Sequence, residues 1–278
     1  MALIQVDFFS ASLMRTVTIN AVIPVDKMTF TNEKREKKPF KTLYLLHGIF
    51  GNYTDWITGT RIQSWAQDNN LAVIMPSGEN KFYLDNEKTG EMYGKFIGEE
   101  LVNITRDLFP LSTKKEDTFI GGLSMGGYGA IVNGLHYPET FGYICGLSSA
   151  LIIDRVLQTK DDSSPFPTDR RSYNESIFGD LDKLKGSDKD YYALIEKLKV
   201  ANQTIPAFYL ACGTEDSLLP ENRAYHDFLV KQGVNVTYEE GPGGHDWKFW
   251  DEYIYKVLQW LPLEEKTESI HSGHVNID

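Results

Sequence analysis

The stretch of this 278-residue chain richest in chemistry is Gly122-Leu123-Ser124-Met125-Gly126. A serine with glycine two positions away on each side is the pattern of a nucleophile elbow, a sharp strand-to-helix turn that lifts the hydroxyl clear of the backbone. Such a turn strains the serine, and side chains at the flanking positions would collide with the neighbouring strand or helix. The pattern is short enough to arise by chance, so its setting carries the weight. It follows the apolar run Thr118 to Ile120 and opens the helical pattern Met125 to His136.

A serine hydroxyl is a poor nucleophile until a positioned base takes its proton. Of the six histidines, His136 ends the elbow helix and His226 lies on the pattern Glu221 to Lys231, while His271 and His274 fall in the tail. His47 reads as a loop-shaping residue. His245, in the flexible run Gly241-Pro242-Gly243-Gly244-His245 after the last strand-like segment, is the expected base. An acid must orient it, in the chain order serine, acid, histidine. The loop Gly213-Thr214-Glu215-Asp216 leaves a buried strand-like run and offers Asp216 or Glu215. The shorter Asp216 is preferred because a turn holds it more rigidly, and Asp154 is the reserve.

The oxyanion formed on attack needs preorganised donors. The N–H of Met125, at a helix N-terminus, is one; the second is expected from Ile49, with Phe50 as the alternative, in His47-Gly48-Ile49-Phe50-Gly51. Substrate walls are expected from Phe82, Tyr83 and Tyr93 in the loop 77–94, and from Phe166 and Phe178 farther on. Trp247 and Trp250 lie beside the histidine at helical spacing. Packing is the plainer role for both, with Trp247 retained as a substrate-contact candidate.

These residues need a scaffold that gathers distant loops. Ile4 to Phe9 and Thr16 to Ile23 read as an antiparallel entry pair. Strand-like runs follow at 42–46, 71–75, 118–120, 143–147, 207–211 and 234–238, alternating with helical patterns at 56–67, 98–109, 125–136, 221–231 and 247–260. That alternation predicts a three-layer α/β sandwich with a mostly parallel eight-stranded sheet. The polar segment 151–204, rich in Pro, Ser and Asp, reads as a small cap inserted in one domain spanning 1–263, with 264–278 as a tail.

The net charge of -11 disfavours nucleic acid and anionic membrane surfaces as partners. The quiet stretch 118–153 holds six glycines between Gly121 and Gly134, which suits a buried strand, turn and helix better than a membrane span. The first residues lack the basic and apolar blocks of an export signal, and Cys145 and Cys212 read as buried thiols, so a cytoplasmic protein is expected. Neither His-Glu-x-x-His nor a nucleotide-binding glycine loop occurs, and the serine mechanism calls for no metal or organic cofactor. A small-molecule ester is the expected partner. Homo-oligomer formation stays open.

Several of these stretches together resemble one family. Leu45-Leu46-His47-Gly48 with Gly51-Asn52 and Asp55-Trp56, then Gly122 through Gly129, then Gly213-x-x-Asp216, then Gly244-His245-Asp246-Trp247 with Trp250, are similar to the esterase D family, most of all the bacterial tributyrin esterases. The likeness runs from about Val6 to Pro262. It implies an α/β-hydrolase fold, a triad of Ser124, Asp216 and His245, and hydrolysis of short-chain acyl esters through an acyl-enzyme. The broad family also holds S-formylglutathione hydrolases, feruloyl and acetylxylan esterases and mycolyl transferases. Tyr128 stands where formylglutathione hydrolases tend to carry histidine, which tells against the thioesterase reading. A silent binding module on the same fold would lack a triad member, and none is missing.

Overall fold

The structure, a computed structural model, describes residues 2–27 and 38–264; His271 and His274 lie outside them. The chain enters through the hairpin β1 (Ala2–Ser10) and β2 (Arg15–Ile23), paired antiparallel from Ala2↔Ile23 to Ser10↔Arg15. Alternating exposure along β1 marks it as an edge strand with one face on the core. Next come β3 (Lys41–Leu46), α1 (Asp55–Gly59), α2 (Ile62–Asp68) and β4 (Leu71–Pro76). A two-residue hairpin, β5 (Asp85–Asn86) and β6 (Glu91–Met92), precedes α3 (Tyr93–Lys95), which runs through a π turn into α4 (Leu101–Leu108).

The second half alternates as expected: β7 (Thr118–Leu123), α5 (Met125–His136) and β8 (Tyr143–Leu147), then the inserted helices α6 (Ile153–Leu157), α7 (Arg171–Phe178) and α8 (Tyr191–Val200). The chain closes with β9 (Ala207–Gly213), α9 (Leu219–Lys231), β10 (Val236–Gly241) and α10 (Trp247–Trp260). The sheet order is β1-β2-β4-β3-β7-β8-β9-β10, parallel from β4 onward.

Strand alternation divides the core between the two faces of the sheet. Along β3, Tyr44 and Leu46 face a cluster built with α4, α5, α8 and α9, while Leu43 and Leu45 face a second cluster with α1, α2 and α10. These are the three layers of an α/β hydrolase. Among the described residues no helix is long and apolar enough to cross a membrane.

Several boundaries differ from the sequence reading. The helix expected over 56–67 is two short ones, because Thr60 is extended and its hydroxyl donates to the Trp56 carbonyl at 2.6 Å, while a Cβ at Gly59 would overlap the Trp247 ring. The last strand starts two residues later than expected, at Val236, in register with Phe208 of β9. Strand β7 runs on to Leu123, through Gly121 and Gly122, carrying the chain directly into the elbow.

Candidate active site

Ser124 joins β7 to α5 with φ 52° and ψ −118°, a conformation outside the ordinary regions that costs roughly 1–3 kcal/mol. Three backbone bonds over-determine it: its N–H donates to the Leu147 carbonyl at 2.9 Å, and its carbonyl accepts from Ala150 at 2.9 Å and Tyr128 at 3.1 Å. The flanking glycines are required by space. A Cβ on Gly122 would lie 2.4 Å from the Gly126 carbonyl oxygen, and one on Gly126 would lie 2.4 Å from that of Leu46. The same contact brings the loop after β3 against the start of α5.

His245 reaches the elbow from the loop after β10. Its Nε2 lies 2.9 Å from Ser124 Oγ, and its Nδ1 lies 2.9 Å from Asp216 Oδ2. Asp246 caps α10 by accepting from the Phe249 N–H at 3.1 Å, which fixes where that loop ends. Trp250, one turn into the helix, presents its ring edge-on to the imidazole, with centroids 5.0 Å apart.

Asp216 sits at the end of β9 and is buried. Burial pushes its carboxyl pKa upward, but hydrogen bonds from His245, the Leu218 N–H and Ser148 outweigh this and hold it below the ordinary value. The acid is therefore a carboxylate, able to stabilise a proton on the imidazole. Glu215 faces outward, and its carboxylate takes the Gly243 N–H, tethering the histidine loop instead of touching the ring. Asp154 pairs with Lys185 in the cap and lies apart from the site.

The two candidates for the second oxyanion donor, Ile49 and Phe50, differ in a decisive way. The Phe50 N–H already donates to Asn80 Oδ1 at 2.8 Å. The N–H groups of Ile49 and Met125 take no partner among the described residues. A Cβ placed on Gly48 would lie 3.6 Å from Ser124 Cβ, so the Ile49 loop adjoins the nucleophile. His47 shapes that loop. Its Nε2 accepts the Gly78 N–H at 2.8 Å, which puts its proton on Nδ1, 2.6 Å from the Gly48 carbonyl. Burial holds its pKa below the ordinary histidine value.

The expected substrate walls need correction. Phe82, Tyr83 and Tyr93 are 5%, 0% and 0% exposed, so their rings are packed in the interior and present little or no surface to a substrate. The Tyr83 hydroxyl donates to the His47 carbonyl at 3.0 Å, and its ring fills space that the absent Cβ atoms of Gly78 and Gly129 leave open. Phe82 packs on Tyr128 and Phe178, which buries Phe178 as well. The Tyr93 hydroxyl bonds Arg15. Trp247 stands edge-on to both Trp56 and Trp250 and is half-buried, so only part of its ring faces outward. Of the aromatic residues singled out in the sequence, Phe50 and Phe166 are the exposed ones, at 78% and 68%.

Sequence reasoning missed the supports of the acid. Ser148, fully buried with φ 47°, accepts the Trp250 indole N–H at 3.2 Å and contributes to keeping Asp216 ionised. No spacing rule marks a serine after a strand for that role. Both cysteines are free and buried; burial raises the Cys145 thiol pKa strongly and brings that of Cys212 to about 12, so neither is a thiolate nucleophile. Among the described residues no cluster of three or more His, Cys, Asp or Glu is placed to hold a metal ion.

Comparison with known proteins agrees with this architecture. Residues 10–261 match the Esterase family model, described as "Putative esterase". The chain is 48% identical over 268 residues to an acetyl esterase of Caldicellulosiruptor saccharolyticus, covering 94% of this chain and 98% of that one. Among solved structures, the substrate-bound fluorophosphonate-binding serine hydrolase FphF of Staphylococcus aureus superposes with TM-score 0.81 at 31% identity. The S-formylglutathione hydrolase FrmB of the same organism superposes with TM-score 0.80 at 31% identity; each comparison covers 94% of this chain and 98% of the other. The chain thus belongs to this esterase family and is an α/β-hydrolase-fold enzyme acting on carboxylic esters.

Proposed function

We propose that the protein is a serine carboxylesterase that removes short acyl groups, acetyl among them, from small-molecule esters through an acyl-enzyme on Ser124. The observation that carries this reading is the unbroken chain from Ser124 Oγ through His245 to Asp216, with both contacts at 2.9 Å. The Ser124 oxygen attacks the ester carbonyl carbon while His245 Nε2 takes its proton. Negative charge gathers on the carbonyl oxygen, facing the free N–H groups of Met125 and Ile49. Collapse expels the alcohol, which leaves with the proton from His245. Water, deprotonated by the same imidazole, then releases the acid and restores the serine.

The short acyl preference is supported by the 48% identity to an acetyl esterase and by the resemblance to tributyrin esterases. The thioesterase reading draws on the FrmB likeness. Against it, Tyr128 is fully buried with its hydroxyl spent on the Lys189 carbonyl at 2.7 Å, so it offers nothing to a substrate.

An ester panel graded by acyl length, with feruloyl, acetyl-sugar and formyl-thioester members, tests the assignment beside Ser124→Ala. The expected result is a maximum at acetyl to butyryl and a fall in kcat of about 10⁴-fold or more in the variant. Organophosphate should label Ser124 and leave the variant unlabelled. An active Ser124→Ala protein would end the serine mechanism, and a maximum on the formyl thioester would replace the carboxylesterase reading. If an added alcohol captured the acyl group ahead of water, the enzyme would be a transferase.

A further inference from the structure

The loops of the nucleophile and the acid are joined through His245, through Leu147 and Ser148, which bond Ser124 and Asp216 in turn, and again through a residue that touches neither. Asn222, on the first turn of α9, is fully buried. Its Oδ1 accepts the Ser149 N–H at 3.2 Å, and its Nδ2 donates to the Ser149 carbonyl at 3.0 Å and to the Leu218 carbonyl at 2.8 Å. Only the amide oxygen can accept the Ser149 N–H and only the amide nitrogen can donate to the two carbonyls, which also accept the Leu151 and Asn222 main-chain N–H groups, so the orientation of the amide is fixed.

Each end of this brace is one short step from a reacting group. Next to Ser149, the Ala150 N–H donates to the Ser124 carbonyl at 2.9 Å. At the other end, the Leu218 N–H donates to Asp216 Oδ1 at 2.9 Å. The imidazole cannot hold this spacing itself, because it rides on a glycine-rich loop with its side chain 35% exposed. For it to bond both partners, other contacts must hold the gap: β8 fixes the strand ends through Leu123↔Leu147 and Leu147↔Ala211, and beyond them the Asn222 amide ties the Ser149 turn to the start of α9.

We infer that Asn222 is a positioning residue, which, together with the Leu147–Ser148 link, holds the Ser124 elbow and the Asp216 loop at the distance that lets His245 engage both at once. The inference rests on the triad reading above. Removing the amide leaves the elbow and the acid loop tied only through β8 and Ser148, so they can shift against each other, and misplacement by about 1 Å is enough to cost up to 10²-fold in rate. Substrate contacts stay intact, so the loss belongs in kcat.

The test replaces Asn222→Leu and compares it with Asn174→Leu. Asn174 is a matched control in the cap, similarly buried, with Nδ2 donating to the Thr168 and Arg170 carbonyls at 3.2 and 3.0 Å. Both variants lose amide hydrogen bonds and both should lower Tm. Asn222→Leu alone should reduce kcat by about tenfold or more with KM within about twofold. It alone should shift or broaden the low-field proton resonance of the His245 to Asp216 hydrogen bond. If Asn222→Leu does not fold, Asn222→Asp keeps the volume and the acceptor while losing both donated bonds, and is held to the same readouts. A kcat within twofold of the parent, or an equal loss of kcat in the Asn174 control, overturns the inference. Ser124→Ala separates the two levels: if it stays active the triad reading itself falls, whereas an inactive Ser124→Ala beside a fully active Asn222 variant removes only the brace.

Discussion

Around Ser124 the chain is held by backbone touching backbone, while residues 151–204 are anchored by apolar side chains in the core and, at their surface, by side chains reaching for carbonyls and for one another. At the elbow no atom can be added: a Cβ on Gly122 or Gly126 would run into main-chain oxygen. In the cap, Lys189 Nζ meets the Phe178 carbonyl, Arg171 meets Glu175, and Lys185 meets Asp154 in the open. Backbone contacts leave no room for drift, which the reacting atoms require; long side chains adapt to substitution, and paired surface charges are screened by water. Catalytic geometry and tolerance for change are thus placed in different parts of one chain.

The contrast can be broken by substitution, beginning at the triad. Asp216→Asn keeps the shape of the acid but removes its charge and its hold on the imidazole tautomer, and should lower kcat roughly 10³- to 10⁴-fold with little change in the urea midpoint. A loss of less than tenfold would mean that the carboxylate acts from elsewhere. Gly126→Ala should destabilise the fold by about 3 kcal/mol, because the Leu46 and His47 carbonyls cannot move without shifting β3. Urea unfolding measures this, and a neutral result would show that the elbow is looser than its contacts imply.

Smaller effects belong where the two regions meet and beyond. Tyr128→Phe leaves the Lys189 carbonyl without its buried partner, at a cost of about 1 kcal/mol read from the same unfolding curve, with kcat against a short acyl ester retained. Lys185→Ala opens an exposed pair and should leave the unfolding midpoint where it was. A cap variant as damaging as the Gly126 change would erase the distinction between the regions.

How much could be read in advance follows the same division. The elbow was legible because its constraint is steric and local: glycines two residues either side of a serine, between a strand pattern and a helix pattern, have few other uses. The strands were legible because a parallel sheet buried on both faces demands apolar runs at helix-separated intervals. Phe82, Tyr83 and Tyr93 were expected as walls and are buried, since an aromatic in a loop looks alike in sequence whether its ring lines a cleft or packs in the interior. Ser148 and Asn222 gave no signal, because their partners lie far off in the chain or on the main chain, which no residue type reveals.

By itself, the order of residues determined the alternation of strand and helix, the strained turn at Ser124 and the candidates for base and acid, since each of these depends on neighbours within a few positions. Only the tertiary structure set Asp216 and not Glu215 against His245, left Ile49 and not Phe50 with a free N–H, and revealed the brace at Asn222. Those outcomes turn on which of two adjacent groups faces inward after β3, β7, β8 and β9 come together, and that depends on a packing arrangement no short stretch of chain contains.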